Sequence, residues 1–146
     1  VDKDIGMIYT GDRLFILAGE CNRIAREHGW WEEKERNAGE VAMLIVTEVA
    51  EAFEEIRDGH SPQEVYTDNH GSGTRYTYKD LNDLNELTPN DMEMKPEGWL
   101  IELADVFIRI MDVVEQMGLS SKFIDGMRWK MNFNESRPYR HGGKTA

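Results

Sequence analysis

At 146 residues the chain has material for one hydrophobic core and too little for two, so a single domain over residues 1–146 is expected. Its 28 acidic and 17 basic residues leave a formal charge of −11, which argues against nucleic acid and anionic membranes as partners. Cys21 is alone, which excludes an intrachain disulfide; with no signal-peptide pattern and no bilayer-length apolar run, the cytoplasm is the expected location.

Leu14, Leu17, Ala18, Cys21, Ile24, Ala25 and His28 recur at helical spacing and predict a first helix from about Arg13 to His28, capped by Asp12 and ended by Gly29. Cys21 falls on its apolar face and reads as core. Trp30 and Trp31 follow, ordinarily core or interface residues in such a place.

Asn37 with Glu40 three residues on has the form of a capping box and opens a second helix, which Gly59 closes. Its expected core face is Ile45, Val49, Ala52, Phe53 and Ile56, flanked by a strip of Glu48, Glu51, Glu55 and Asp58. Residues 58–98 are the least regular stretch. VYTDNHGSGTRYTY alternates around a Gly-rich centre and reads as a hairpin, while Leu81, Leu84 and Leu87 suit one or two helical turns. A connection this long serves as a lid, an oligomer contact or a disordered segment.

Pro96 fits the start and Gly118 the end of a third helix, WLIELADVFIRIMDVVEQM. Leu103, Val106, Phe107, Ile110 and Val114 cover one side, and Ile101, Ala104 and Ile108 much of another, so burial nearly all round is expected. Ser120 or Ser121 caps a fourth helix to about Asn134, with Phe123, Ile124, Met127 and Met131 inward. The chain closes on the basic RPYRHGGKTA.

The third helix carries Glu102 and Asp105 on one face, and Glu102, Asp105, Arg109 and Asp112 repeat the increments of the second helix's acidic strip. A carboxylate held away from water needs a cation. Glu54, Glu55 and Asp58 read as a solvated face. Glu48, Glu51, Glu102 and Asp105 do not, and Arg109 alone cannot neutralise four charges. An all-oxygen set without Cys or His suits Mg²⁺ or Mn²⁺ rather than zinc. A di-iron bundle is excluded because no His stands three residues after a Glu.

TEVAEAF supplies Glu48-x-x-Glu51 and ELADVFIRIMD supplies Glu102-x-x-Asp105, a pattern that resembles the ExxE and ExxD signature of the MazG-like, all-α nucleoside triphosphate pyrophosphohydrolases. HGWW at 28–31, KPEG at 95–98 and KMNFNESRPYRHGGK at 130–144 are similar to the MazG-like proteins often carried by phages, which would place the chain in a host cytoplasm. The acid pairs stand further apart here than in compact members, because of residues 58–98.

The resemblance implies an all-α fold, a four-helix bundle-like core with an irregular insertion between the two carboxylate helices, assembled as a homodimer or homotetramer. It implies that Glu48, Glu51, Glu102 and Asp105 are both metal ligands and catalytic residues, with Mg²⁺ (or Mn²⁺) on a nucleoside or deoxynucleoside triphosphate. Cleavage between the α- and β-phosphates would give a nucleoside monophosphate and pyrophosphate. Lys130, Asn134, Arg137 and Lys144 are then expected phosphate ligands, with Tyr139 and His141 beside them; Trp31 is placed to stack on a base and Asn22 to read its edge. The alternatives are a dUTP- or dCTP-specific pyrophosphatase, a guanosine alarmone hydrolase, or a non-enzymatic helical interaction module.

Overall fold

Helices dominate, as the spacing predicts, and a three-stranded sheet joins two of them. The computed structural model describes residues 3–32, 36–69, 74–78 and 94–138, with the backbone alone for 3–12, 68–69 and 74–78. Among the described residues the elements run α1 (Lys3–Glu27), α2 (Ala38–Arg57), β1 (Val65–Asn69), β2 (Thr74–Tyr78), β3 (Pro96–Glu97), α3 (Trp99–Gln116) and α4 (Ser120–Glu135). No helix among them is long and apolar enough to cross a membrane. The expected turns at Leu81, Leu84 and Leu87 lie outside the described residues.

The chain divides into two compact units, Val1–Glu33 with Met111–Ala146, and Lys34–Ile110. Helix α3 begins in the second and ends in the first, so Glu102 and Asp105 belong to one unit and Asp112 to the other.

In the first unit α1 packs on α4, around Ala18, Cys21, Met111, Val113 and Ile124. Helix α1 starts about ten residues before the expected Arg13, so Asp12 is not its cap. No proline interrupts residues 3–27, and the helix continues through the local capping signal. Gly29 ends it as expected, with φ 76° and Trp30 N–H donating to Ala25 O at 3.0 Å. Leu17 and Ile24, expected inside, are exposed, and the buried turn is Ala18–Cys21–Asn22. Leu119, without a side-chain cap bond, precedes α4; the Ser120 hydroxyl donates instead to Glu115 at 2.6 Å. Ile124 is buried, whereas Met131 is exposed.

In the second unit the Asn37 capping box forms in full: Asn37 Oδ1 accepts from Glu40 N–H at 3.0 Å, and Glu40 Oε2 accepts from Asn37 N–H at 3.2 Å. Gly59, at φ 91°, follows the last turn. The hairpin is present: β1 pairs antiparallel with β2 from Val65↔Tyr78 to Asn69↔Thr74. Sequence reasoning did not anticipate β3, which pairs with the other edge of β1 through Tyr66↔Glu97 and Thr67↔Pro96. Pro96 therefore sits in an edge strand and not in the first turn of a helix, a position where its missing N–H costs nothing. Strand β1 is fastened to α2 by the buried Tyr66, whose hydroxyl donates to the Glu55 carboxylate at 3.0 Å and whose ring stacks on His60.

Of the expected core face of α2, Ala52 is buried and Ile45 partly so, whereas Val49, Phe53 and Ile56 are turned out. Val41, Glu48 and Ala52 are buried, with Ile45 and Glu55 partly so, while Met43, Val46, Val49, Phe53 and Ile56 are exposed, Phe53 by 59%. The same seven-residue increments that place Glu48 inside place these apolar side chains outside. Helix α3 is likewise not buried all round, since Ala104, Phe107 and Ile108 form an exposed strip.

Candidate metal centre

Glu48 and Glu102 are 7% and 3% exposed, although both are acids. Each is carried inward by the helix that bears it, Glu48 between Val41 and Ala52 on α2, Glu102 in the first turn of α3. That turn starts where it does because Gly98 accepts the Ile101 and Glu102 N–H groups at 2.8 and 3.0 Å. Gly98 has φ 121°, and a Cβ there would overlap the carbonyl oxygen of Glu64. Only glycine meets both demands.

Glu48, Glu102 and Asp105 each offer a carboxylate oxygen within 4.8 Å of the other two. Arg109 Nε donates to Glu48 Oε1 at 2.7 Å. Glu102 and Asp105 accept no hydrogen bond among the described residues, so the buried Glu102 and the half-buried Asp105 face Glu48 with one described guanidinium among them. Lys95 stands at the edge of the group, with Nζ 2.8 Å from Glu97 Oε1.

The electrostatics follow from this crowding. Burial first, and the Glu51 charge second, push the Glu102 carboxyl up to about 7, against the opposite pull of Lys95. Burial and then Glu48 raise Asp105, opposed by Arg109 and Lys95. Lys95 is raised in turn, chiefly by its hydrogen bond to Glu97 and further by the charges of Glu102 and Glu51. Among the described residues, five carboxylates thus share two cations.

Such a donor set fits a hard divalent cation. The three carboxylate oxygens lie close enough together for a single ion to reach all of them. Oxygen-only ligands and a charge deficit are what Mg²⁺ and Mn²⁺ select.

Of the expected site residues, the structure brings together Glu48, Glu102 and Asp105. Glu51 is exposed on the same helix as Glu48, outside the close trio, and its charge acts on Glu102. Asn22 and Trp31 belong to the other unit and converge there on Asp112. Asn22 Nδ2 donates to Asp112 Oδ1 at 2.8 Å and to Gln116 Oε1 at 3.0 Å, and Trp31 Nε1 donates to Asp112 Oδ1 at 3.0 Å. Lys130, Asn134 and Arg137 are exposed on and just beyond α4, with Lys130 Nζ 5.2 Å and Arg137 Cζ 5.9 Å from the Phe133 ring centre. Tyr139, His141 and Lys144 lie outside the described residues.

Sequence reasoning missed Lys95 and Glu97 as charged neighbours of the acids, although KPEG, three residues ahead of ELAD, was the available signal. Asp112 as a buried acceptor was missed too; its place two turns after Asp105 on an apolar helix could have shown it. Compared with protein families, curated proteins and solved structures, this chain matches none.

Proposed function

We propose that the chain is a Mg²⁺-dependent nucleoside triphosphate pyrophosphohydrolase of the MazG-like, all-α class, producing a nucleoside monophosphate and pyrophosphate. The observation that carries this reading is the convergence of Glu48, Glu102 and Asp105, each offering an oxygen within 4.8 Å of the others, from the two helices that bear the ExxE and ExxD patterns. Glu48, Glu102 and Asp105, with Glu51 beside them, would hold the metal. An ion held there would supply charge neutralisation for a polyphosphate, polarisation of the scissile phosphoryl group and a more acidic water. The chain's own contribution is to fix the acids before substrate arrives: Arg109 pins one oxygen of Glu48, and burial keeps Glu102 short of competing water. A carboxylate left free of metal accepts the proton of the attacking water.

The test is pyrophosphate yield from the eight common ribo- and deoxyribonucleoside triphosphates, with and without Mg²⁺. Pyrophosphate released only with Mg²⁺ is the expected result. Orthophosphate alone, or equal release in EDTA, overturns the reading. The same panel, extended to a guanosine alarmone, separates a general enzyme from a dUTP- or dCTP-specific one.

The outward apolar face of α2 supports homo-oligomer formation as part of the same reading. Light scattering is expected to give a dimer or tetramer, and Phe53→Asp to shift it toward monomer.

A further inference from the structure

We propose that Lys95 serves the carboxylate site twice, as counter-ion to the acids when no metal is bound and as a contact to substrate phosphate oxygens once metal has neutralised them. This inference rests on the metal-dependent triphosphate reading given above.

The first observation is placement. Lys95 directly precedes β3, whose pairing with β1 and whose exit through the sterically closed Gly98 fix the backbone at the threshold of the Glu102 turn. The Lys95 side chain is 62% exposed, while its Glu97 partner is 15% exposed, so the ammonium sits at the surface end of a pair rooted in the protein. Arg109, the other cation, is held by the buried Glu48. Lys95 is therefore the cation able to change partners without breaking a buried bond.

The second observation is charge. Lys95 acts on Glu51, Glu102 and Asp105, three acids that belong to the metal reading. Lys95 and a divalent cation compete for the same negative field. When a metal satisfies that field the pull of the acids on the ammonium falls, and an incoming triphosphate presents a stronger one. A flexible point charge on a four-carbon stem suits phosphate oxygens that move between ground and transition states.

Two substitutions separate this role from that of an ordinary surface ion pair. Lys95→Met and Glu97→Gln both destroy the pair, but they change the field at the acids in opposite directions. By calorimetry with Mn²⁺ alone, Lys95→Met is expected to bind about three- to tenfold tighter than the parent protein, and Glu97→Gln more weakly. With inorganic pyrophosphate titrated in saturating Mn²⁺, Lys95→Met is expected to bind about tenfold more weakly, Lys95→Arg close to the parent, and Glu97→Gln no more weakly than the parent. Lys95→Met shifting both affinities in the same direction as Glu97→Gln, or shifting neither, overturns the assignment. A parent protein that takes up Mn²⁺ but releases only orthophosphate from nucleotides overturns the reaction and leaves the Lys95 result standing. No uptake of Mn²⁺ by the parent overturns both.

Discussion

Arg109 donates from Nε to Glu48 Oε1 at 2.7 Å, linking the third turn of α3 to the middle of α2. The contact joins the two helices at the level of the acids and ties up one oxygen of Glu48. Arg109→Met strands a buried carboxylate, and in EDTA the cost is expected to be about 3 kcal/mol in urea unfolding. Because Mg²⁺ would replace the lost positive charge, the deficit is expected to shrink when the ion is added. An equal deficit with and without Mg²⁺ would make the pair a purely structural one.

Glu102 titrates near 7 in the folded chain against an ordinary 4.5, which fixes a sign. The native state holds this proton more tightly than the unfolded chain, so the contribution is most favourable below about 4.5 and is lost as pH rises through about 7. Asp105 is raised as well and acts in the same direction. In EDTA, the parent protein is expected to lose stability relative to Glu102→Gln between pH 5 and pH 8. Saturating Mg²⁺ should reverse that order at pH 8, since only the parent offers the full ligand set. Parallel pH curves for the two proteins would contradict the burial of an ionised Glu102.

Asp105→Asn preserves shape and removes a charge from the close trio. Turnover is expected to fall by about 10²–10⁴-fold, the range for losing a group that handles a proton or a metal in the transition state. Far-UV circular dichroism should be unchanged. Activity within about threefold of the parent would remove Asp105 from the machinery.

Asn22 was expected to read a base, yet its amide nitrogen is spent on Asp112 and Gln116. Asn22→Ala deprives a buried carboxylate of a donor and is expected to cost about 1–3 kcal/mol. Asn22→Asp should cost more, because a second acid then faces Asp112. Trp31 donates to the same Asp112 oxygen, so its fluorescence reports both changes. Unaltered melting temperature combined with weaker nucleotide binding would return Asn22 to the role of base reader.

What was legible in the sequence was mainly local. The Asn37–Glu40 box, the glycine stops at 29, 59 and 118, and the hairpin about residue 70 are each dictated by a few neighbouring residues, and each is present. Glu48, Glu102 and Asp105 could be read as partners because an acid three residues from another acid on an apolar helix has few explanations. The misreadings were of faces. In α2, two stripes flank Ala52, which is inside as expected: one of Val49, Phe53 and Ile56 and one of Val41, Glu48 and Glu55, and hydrophobicity favours the wrong one. The second stripe is chosen by contacts distant in sequence: Arg109 on Glu48 and Tyr66 on Glu55. Strand β3 was illegible for a similar reason, since a two-residue edge strand containing proline carries no periodicity of its own.

The sheet order, with β1 between β2 and β3, has an engineering consequence. The chain entering α3 is registered on the strand that follows α2, and not on the far arm of the hairpin. The placing of β2 is thereby decoupled from acid spacing. Substitutions along β2 should therefore leave the ExxE and ExxD helices in alignment.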